Sequence, residues 1–320
     1  MTRPTALTSP SSADAHQAEA RHQRIGFGFA LGAAALFSLT GGVVKLGLDA
    51  GVGVETLMLW RMGLALPVYL AVGGRLWVGR RRAGGEPTPR RVLLAAAGLG
   101  VLSYYVCSWL DFTGLRFITA QLERMILFTY PALTAVLAWL LTGQRFTRRH
   151  AAALGVAYAG VLLVFGSERQ AFGPGVAWGV GLVFAAALLF ALYVIYAKPV
   201  IGRMGPAGFT CVAMTAATVA IVTHQAVRRH AVGEPLASAV SVEAVVAGAV
   251  LAVGCTVLPS FMLSAAIGRI GPQRASAAGN VGPVVTTVLA VWLLGEPFGV
   301  AQAAGLALIL VGVGLVAKRG

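Results

Sequence analysis

Residues 119–143 read TAQLERMILFTYPALTAVLAWLLTG, an apolar run with Glu123 and Arg124 near its start, Pro131 in the middle and Gly143 at its end. The pattern returns 152 positions later without a gap. Ile118 aligns with Ile270, Gln121 with Gln273, Pro131 with Pro283, Thr134 with Thr286 and Gly143 with Gly295. The match continues through the next apolar segment, where Gly160 meets Gly312 and Leu163-Val164 meets Leu315-Val316. Biased composition does not produce two consecutive matched segments, so the chain reads as two related halves.

Composition sets the class. Of 320 residues, 58% are hydrophobic and only 11% are charged, with a mean hydropathy of +0.80. A water-soluble fold cannot bury so much apolar surface. Charge-poor runs near the roughly 20 residues needed to cross a bilayer, joined by short basic loops, indicate an all-α polytopic membrane protein. The net charge of +14 does not point to nucleic acid, because the basic residues fall in loops on one side of the membrane and form no continuous face. Cys107, Cys211 and Cys255 all lie within apolar segments at no ligand spacing, so they read as small buried side chains.

Residues 1–24, polar and rich in Ala, Ser and Thr, read as a disordered cytoplasmic tail. Ten membrane segments follow, at about 26–46, 55–74, 92–111, 118–142, 150–167, 174–197, 206–227, 243–267, 273–294 and 299–317. The two halves are residues 25–167 and 174–318. With the N-terminus inside, 18 Lys and Arg residues fall on the cytoplasmic side and 4 outside, which sets both termini in the cytoplasm. Five segments per half is an odd number, so the second half enters the membrane inverted relative to the first. Arg145, Arg148 and Arg149 align with the uncharged Pro297, Val300 and Ala301, as expected for loops on opposite faces. Inverted repeats recur in secondary transporters, where two opposed halves expose one central site to either side in turn.

Ten helices in two inverted halves, Pro131 and Pro283 in segments four and nine, Gly295-Glu296 closing segment nine, and the paired Lys45 and Lys198 together resemble the drug/metabolite transporter superfamily, EamA type. The resemblance covers nearly the whole chain after residue 25. It implies a bacterial inner-membrane carrier, usually an exporter of amino acids or other small metabolites, with a cavity between the halves. Gln144 departs from the pattern, since a Glu often follows the glycine of segment four in such proteins; Glu296 keeps it in the second half.

Charges inside the membrane cost roughly 2.5–3.5 kcal/mol each at mid-bilayer, so each needs a reason. Glu123 stands about five residues, roughly 7–8 Å at 1.5 Å per residue, into segment four, and Arg61 lies similarly deep in segment two. Asp111 and Lys45 end segments three and one on the same side. One reading is an outer vestibule gated by Arg61 pairing with Glu123 or Asp111; the others are a fixed structural pair, or side chains that snorkel to the headgroups. Glu123 and Arg124 are successive, about 100° apart on a helix, and are expected to face different surroundings. Snorkelling or structure is the expectation for Arg124 and Lys45.

Glu123, Leu127, Tyr130 and Thr134 share a stripe of segment four, and Ser276, Asn280 and Thr287 share one of segment nine. Facing one another, the stripes would give an apolar cavity its few polar groups; the alternative is bonding between packed helices. Pro131 and Pro283 each remove a mid-helix hydrogen bond and are candidate hinges.

The expected partners are a small-molecule substrate, the lipid bilayer and protons as a candidate coupling ion, with no cofactor or metal. Two rivals stand. A membrane-embedded enzyme needs clustered acids, His or Cys at metal or nucleophile spacing, and the sequence has no such group. A structural or sensing membrane protein that transports nothing leaves the duplication unexplained.

Overall fold

The computed structural model describes residues 12–143, 147–232, 242–263, 265, 266, 269, 270 and 281–317. Among them every regular element is helical. We number the helices α1 (Ser12–Asp49), α2 (Val54–Arg82), α3 (Arg90–Gly114), α4 (in two pieces, Ala120–Leu127 and Tyr130–Thr142), α5 (Arg148–Phe172), α6 (Gly175–Met204), α7 (Pro206–Val232), α8 (Ala244–Leu263), α9 (Gly282–Leu294) and α10 (Val300–Ala317). By length and apolarity α1 to α8 qualify as membrane crossings, while α9 and α10 are apolar but shorter. Among the described residues eight helices are thus long and apolar enough to cross a bilayer; residues 271–280, which fall within the expected ninth segment, lie outside the described residues. One difference from the expectation is at the start. α1 begins at Ser12, so residues 12–24 are helical where an irregular tail was expected.

The duplication is visible in the local structure. Tyr130–Thr142, the second piece of α4, and α9 are each 13 residues long, start with a proline in the first turn, and end at a left-handed glycine, Gly143 (φ 67°) and Gly295 (φ 63°). Glycine accepts that conformation without a Cβ clash, which stops both helices at the same place. α3 and α8 each contain a π-helical stretch, Val101–Cys107 and Val250–Val257. Such widened turns commonly accompany functional sites in helices.

Repeat-related helices pack on each other. The most extensive pair is α5 with α10. A Cβ placed on Gly160 would lie 2.6 Å from the Gly305 carbonyl oxygen, and one on Gly312 would lie 2.7 Å from that of Ala153. Moving up α5 from Ala153 to Gly160 thus moves down α10 from Gly312 to Gly305, so the two helices run antiparallel. The same holds for α2 and α7, where Gly73 sits against Cys211 and Met62 accepts a hydrogen bond from Thr218.

The two largest apolar cores among the described residues each draw on both halves. Leu57, Met58, Met62 and Tyr69 of α2 pack with Met214 and Ile221 of α7 and Leu251 of α8. Leu122, Met125 and Ile126 of α4 pack with Val164 of α5, Val183 of α6 and Ile309 of α10. Outward-facing Trp292, Leu140 and Trp178 remain exposed, an apolar rim that suits a bilayer.

Candidate functional site

The polar groups concentrate where α3 turns into α4. Thr119 caps α4, its hydroxyl accepting from the Leu122 amide at 3.1 Å. That hydroxyl also donates to Glu168 of α5, which accepts the Thr119 amide as well at 3.2 Å. Glu296, just past α9, accepts the next two amides, from Ala120 at 2.6 Å and Gln121 at 3.2 Å. Two carboxylates therefore occupy the positive end of one helix, satisfying amides that have no partner within it. One of them comes from the other half of the chain. Lys45 completes the junction, donating to the Leu115 and Ile118 carbonyls at 2.9 and 3.2 Å.

One turn further in, Glu123 is 1% exposed, with neither carboxylate oxygen given a hydrogen-bond donor among the described residues. Asp111, near the end of α3, is an electrostatic neighbour of Glu123, and its Oδ1 is likewise buried and unpartnered among the described residues. The backbone of α1 closes the third side, since a Cβ on Gly41 would stand 2.8 Å from Glu123 Oε2. Arg124 Nε is 3.9 Å from that same oxygen, and its Nη2 donates to the Phe37 carbonyl of α1 at 3.1 Å. The divergence expected of successive residues is thus overturned: a long guanidinium folds back across the helix and shares the surroundings of Glu123. Nor does Arg124 snorkel, for it is nearly buried.

Arg61 does not make the expected ion pair with Glu123 or Asp111. It is 6% exposed, donates to Thr256 at 2.8 Å and Ser108 at 3.4 Å, and lies over the Phe112 ring at 5.4 Å. Thr256 belongs to the π-helical stretch of α8, and Ser108 follows that of α3. α2 carries Arg61 into the cleft between these two segments, where hydroxyls lie closer than carboxylates. Nearby, Tyr69 bonds Ser260 of α8 at 2.9 Å, a second polar link from α2 to the other half. Because hydrogen bonds to a charged group contribute about 1.5–3 kcal/mol each, Arg61→Met is expected to lower unfolding stability by about that much. Arg61→Lys should recover only part of it, lacking the planar fork; thermal unfolding in detergent reads both.

The two stripes are placed as follows. The Thr134 hydroxyl donates to the Tyr130 carbonyl of its own helix at 2.8 Å, and the Tyr130 ring meets Phe190 edge-on at 5.1 Å. Thr287 is 5% exposed, and its neighbour Thr286 donates to the Ser38 carbonyl of α1 at 3.0 Å. Ser276 and Asn280 lie outside the described residues. Pro131 and Pro283 are not mid-helix: α4 breaks after Leu127 and restarts at Tyr130, and both prolines stand in a first turn, where a missing N–H costs nothing. The break itself faces the second half, because a Cβ on Gly282 would lie 2.5 Å from the Phe128 ring. Glu168 was not singled out from the sequence. The apolar run stops at residue 167, whereas α5 continues to Phe172 and carries Glu168 inside.

A family model for the EamA-like transporter family matches residues 24–166 and again 177–318. The chain belongs to the EamA-like transporter family. As a family member with two matched copies and a set of apolar helices, it is a multi-pass membrane transporter, in bacteria one of the inner membrane. Among curated proteins it is similar to "Uncharacterized transporter YcbK" of Bacillus subtilis (strain 168), at 25% identity over 267 residues, covering 82% of this chain and 83% of that one. A solved crystal structure shares the fold with a TM-score of 0.58 at 17% identity, over 92% of this chain and 96% of its own.

Proposed function

We propose that this EamA-like transporter is a proton-coupled secondary carrier, exporting small metabolites such as amino acids or drug-like molecules by alternating access between two inverted five-helix halves. Ten helices cross the membrane with both termini in the cytoplasm. Antiparallel packing of α5 on α10 and of α2 on α7 supports the inversion, and the 18-to-4 distribution of Lys and Arg supports the orientation. In that orientation the junction of Lys45, Glu168 and Glu296 with α4 lies at the outer end, closed by contacts between the halves.

The observation that carries the reading is buried Glu123, whose two oxygens, like Asp111 Oδ1, are buried without a hydrogen-bond partner among the described residues, with Arg124 Nε 3.9 Å from Glu123 Oε2. Two neighbouring carboxylates repel, and a proton taken up by one of them relieves the repulsion. A group that must gain and lose that proton is a coupling device when it abuts helices from both halves. Glu123 lies on α4, which touches α9 and is capped by Glu296.

A binding panel tests the carrier. At a concentration 100 times its Kd, a ligand stabilises a protein by about 2.7 kcal/mol. One class among amino acids, nucleosides and organic cations is expected to raise the melting temperature of the purified protein and to exchange across proteoliposomes in counterflow. A protein that neither responds to nor exchanges any of them is a scaffold, not a carrier.

A further inference from the structure

Away from the acid pair, a cleft of about 730 Å³ opens between α2, α3 and the start of α7. Gly73, Gly74 and Gly208 contribute no side chains to its lining, and Leu70, Trp77 and Leu93 make it apolar. Leu70 and Trp77 are 53% and 56% exposed, so the cleft opens sideways, towards lipid in a membrane. Its mouth is basic. Arg80 lines it and donates to Thr88 at 3.2 Å, while the Arg81 guanidinium lies 4.0 Å over the Trp77 ring. Arg82, Arg90 and Arg91 follow within the same turn of chain, which has one acidic residue, Glu86.

Helix length fixes the depth. Arg80 stands 26 residues along α2 from Val54, or about 39 Å at 1.5 Å per residue. If Val54 is at one headgroup layer, Arg80 reaches the other, since a bilayer with its headgroups is about 40–45 Å thick. An apolar groove running into the hydrocarbon from a guanidinium cluster at headgroup level matches one kind of molecule: an acyl chain attached to a phosphate.

We infer that this cleft is a binding site for an anionic glycerophospholipid, with an acyl chain along its glycines and the phosphate on Arg80 and Arg81. Arginine suits phosphate through paired N–H donors, and clustered basic residues beside a membrane helix attract anionic headgroups. The site is separate from the acid pair and does not depend on what the protein carries.

The full chain, purified in detergent, is titrated with phosphatidylglycerol, phosphatidylcholine and sn-glycerol 3-phosphate, with adducts read by native mass spectrometry and stability by thermal unfolding. Phosphatidylglycerol is expected to bind and raise the melting temperature, phosphatidylcholine to bind about 10-fold or more weakly, and glycerol phosphate, having no chains, to do neither. Arg80→Gln with Arg81→Gln should weaken phosphatidylglycerol by about 10-fold while leaving the melting temperature in phosphatidylcholine unchanged. Gly74→Phe is the complementary variant. A Cβ there meets nothing within 4 Å, so the position admits a side chain, and the ring is expected to occupy the groove and block the chain with every arginine in place. Equal affinity for the two lipids, or unchanged binding in both variants, overturns the site. Glycerol phosphate competing as well as the lipid shows a plain anion site and overturns it too. No transport enters these readouts, so a failed carrier assignment leaves the outcome intact.

Discussion

Glu123→Gln is expected to abolish proton-driven substrate accumulation in proteoliposomes while leaving the melting temperature unchanged or slightly higher. The two effects have one cause. Glu123 is 1% exposed and, among the described residues, neither of its oxygens accepts a hydrogen bond, an expensive situation for a charged group. Gln keeps its shape and, like a protonated Glu123, carries no charge. The variant therefore resembles a permanently protonated carrier: stable, but unable to exchange its proton. Uptake driven by an imposed pH gradient should fall on the order of 100-fold, about 2.7 kcal/mol, and what remains should no longer vary with pH. Asp111→Asn should act alike, and the double variant should be little worse than either single one, because both remove the same shared proton. Full gradient-driven transport by Glu123→Gln would remove the pair from the mechanism.

Gly160→Val should damage the fold more than any polar change considered above. The added Cβ would stand 2.6 Å from a backbone oxygen of α10 and 3.0 Å from Leu308 Cβ, so no side chain can move aside to admit it. α5 and α10 must separate. Overpacking of this kind costs about 1–3 kcal/mol when side chains can yield, and the upper end or beyond is expected here, read as a lower melting temperature and poor membrane yield. Gly312→Val should match it, since Gly312 is the repeat counterpart of Gly160 and faces Ala153 and Ala157 as closely. Both push the same pair apart, so their effects should not add. Gly166→Ala is the control, with nothing near its Cβ.

The duplication was readable because it lies in apolar residues and helix stops, and these recur as Gly143 and Gly295 ending equal helices. The break in α4 was not. Pro131 in an apolar run signals a disturbed helix, but whether the chain kinks or stops depends on Phe128 meeting Gly282 of the other half, a contact that no local pattern encodes. The π-helical stretches of α3 and α8 are equally silent, having the same apolar composition as the turns around them. Within the site, the cost of burying charge singled out Glu123, Asp111, Arg61 and Arg124, but not their partners. Arg61 finds Thr256 across 195 positions, and periodicity cannot foresee which hydroxyl a helix presents to it. Arg124 shows the limit of a helical wheel: the wheel places the Cα, while the length of the side chain decides what it reaches.

Inversion of the halves is the claim on which the carrier rests, and side-specific labelling tests it most directly. Arg148 opens α5 and Val300 opens α10, both exposed and 152 positions apart, whereas Cys107, Cys211 and Cys255 are buried. Arg148→Cys and Val300→Cys would be labelled separately with a membrane-impermeant maleimide in right-side-out and inverted vesicles. Inverted halves place Arg148→Cys on the cytoplasmic face and Val300→Cys on the outer one, each reactive in only one kind of vesicle. Labelling of both from the same side would contradict the inversion.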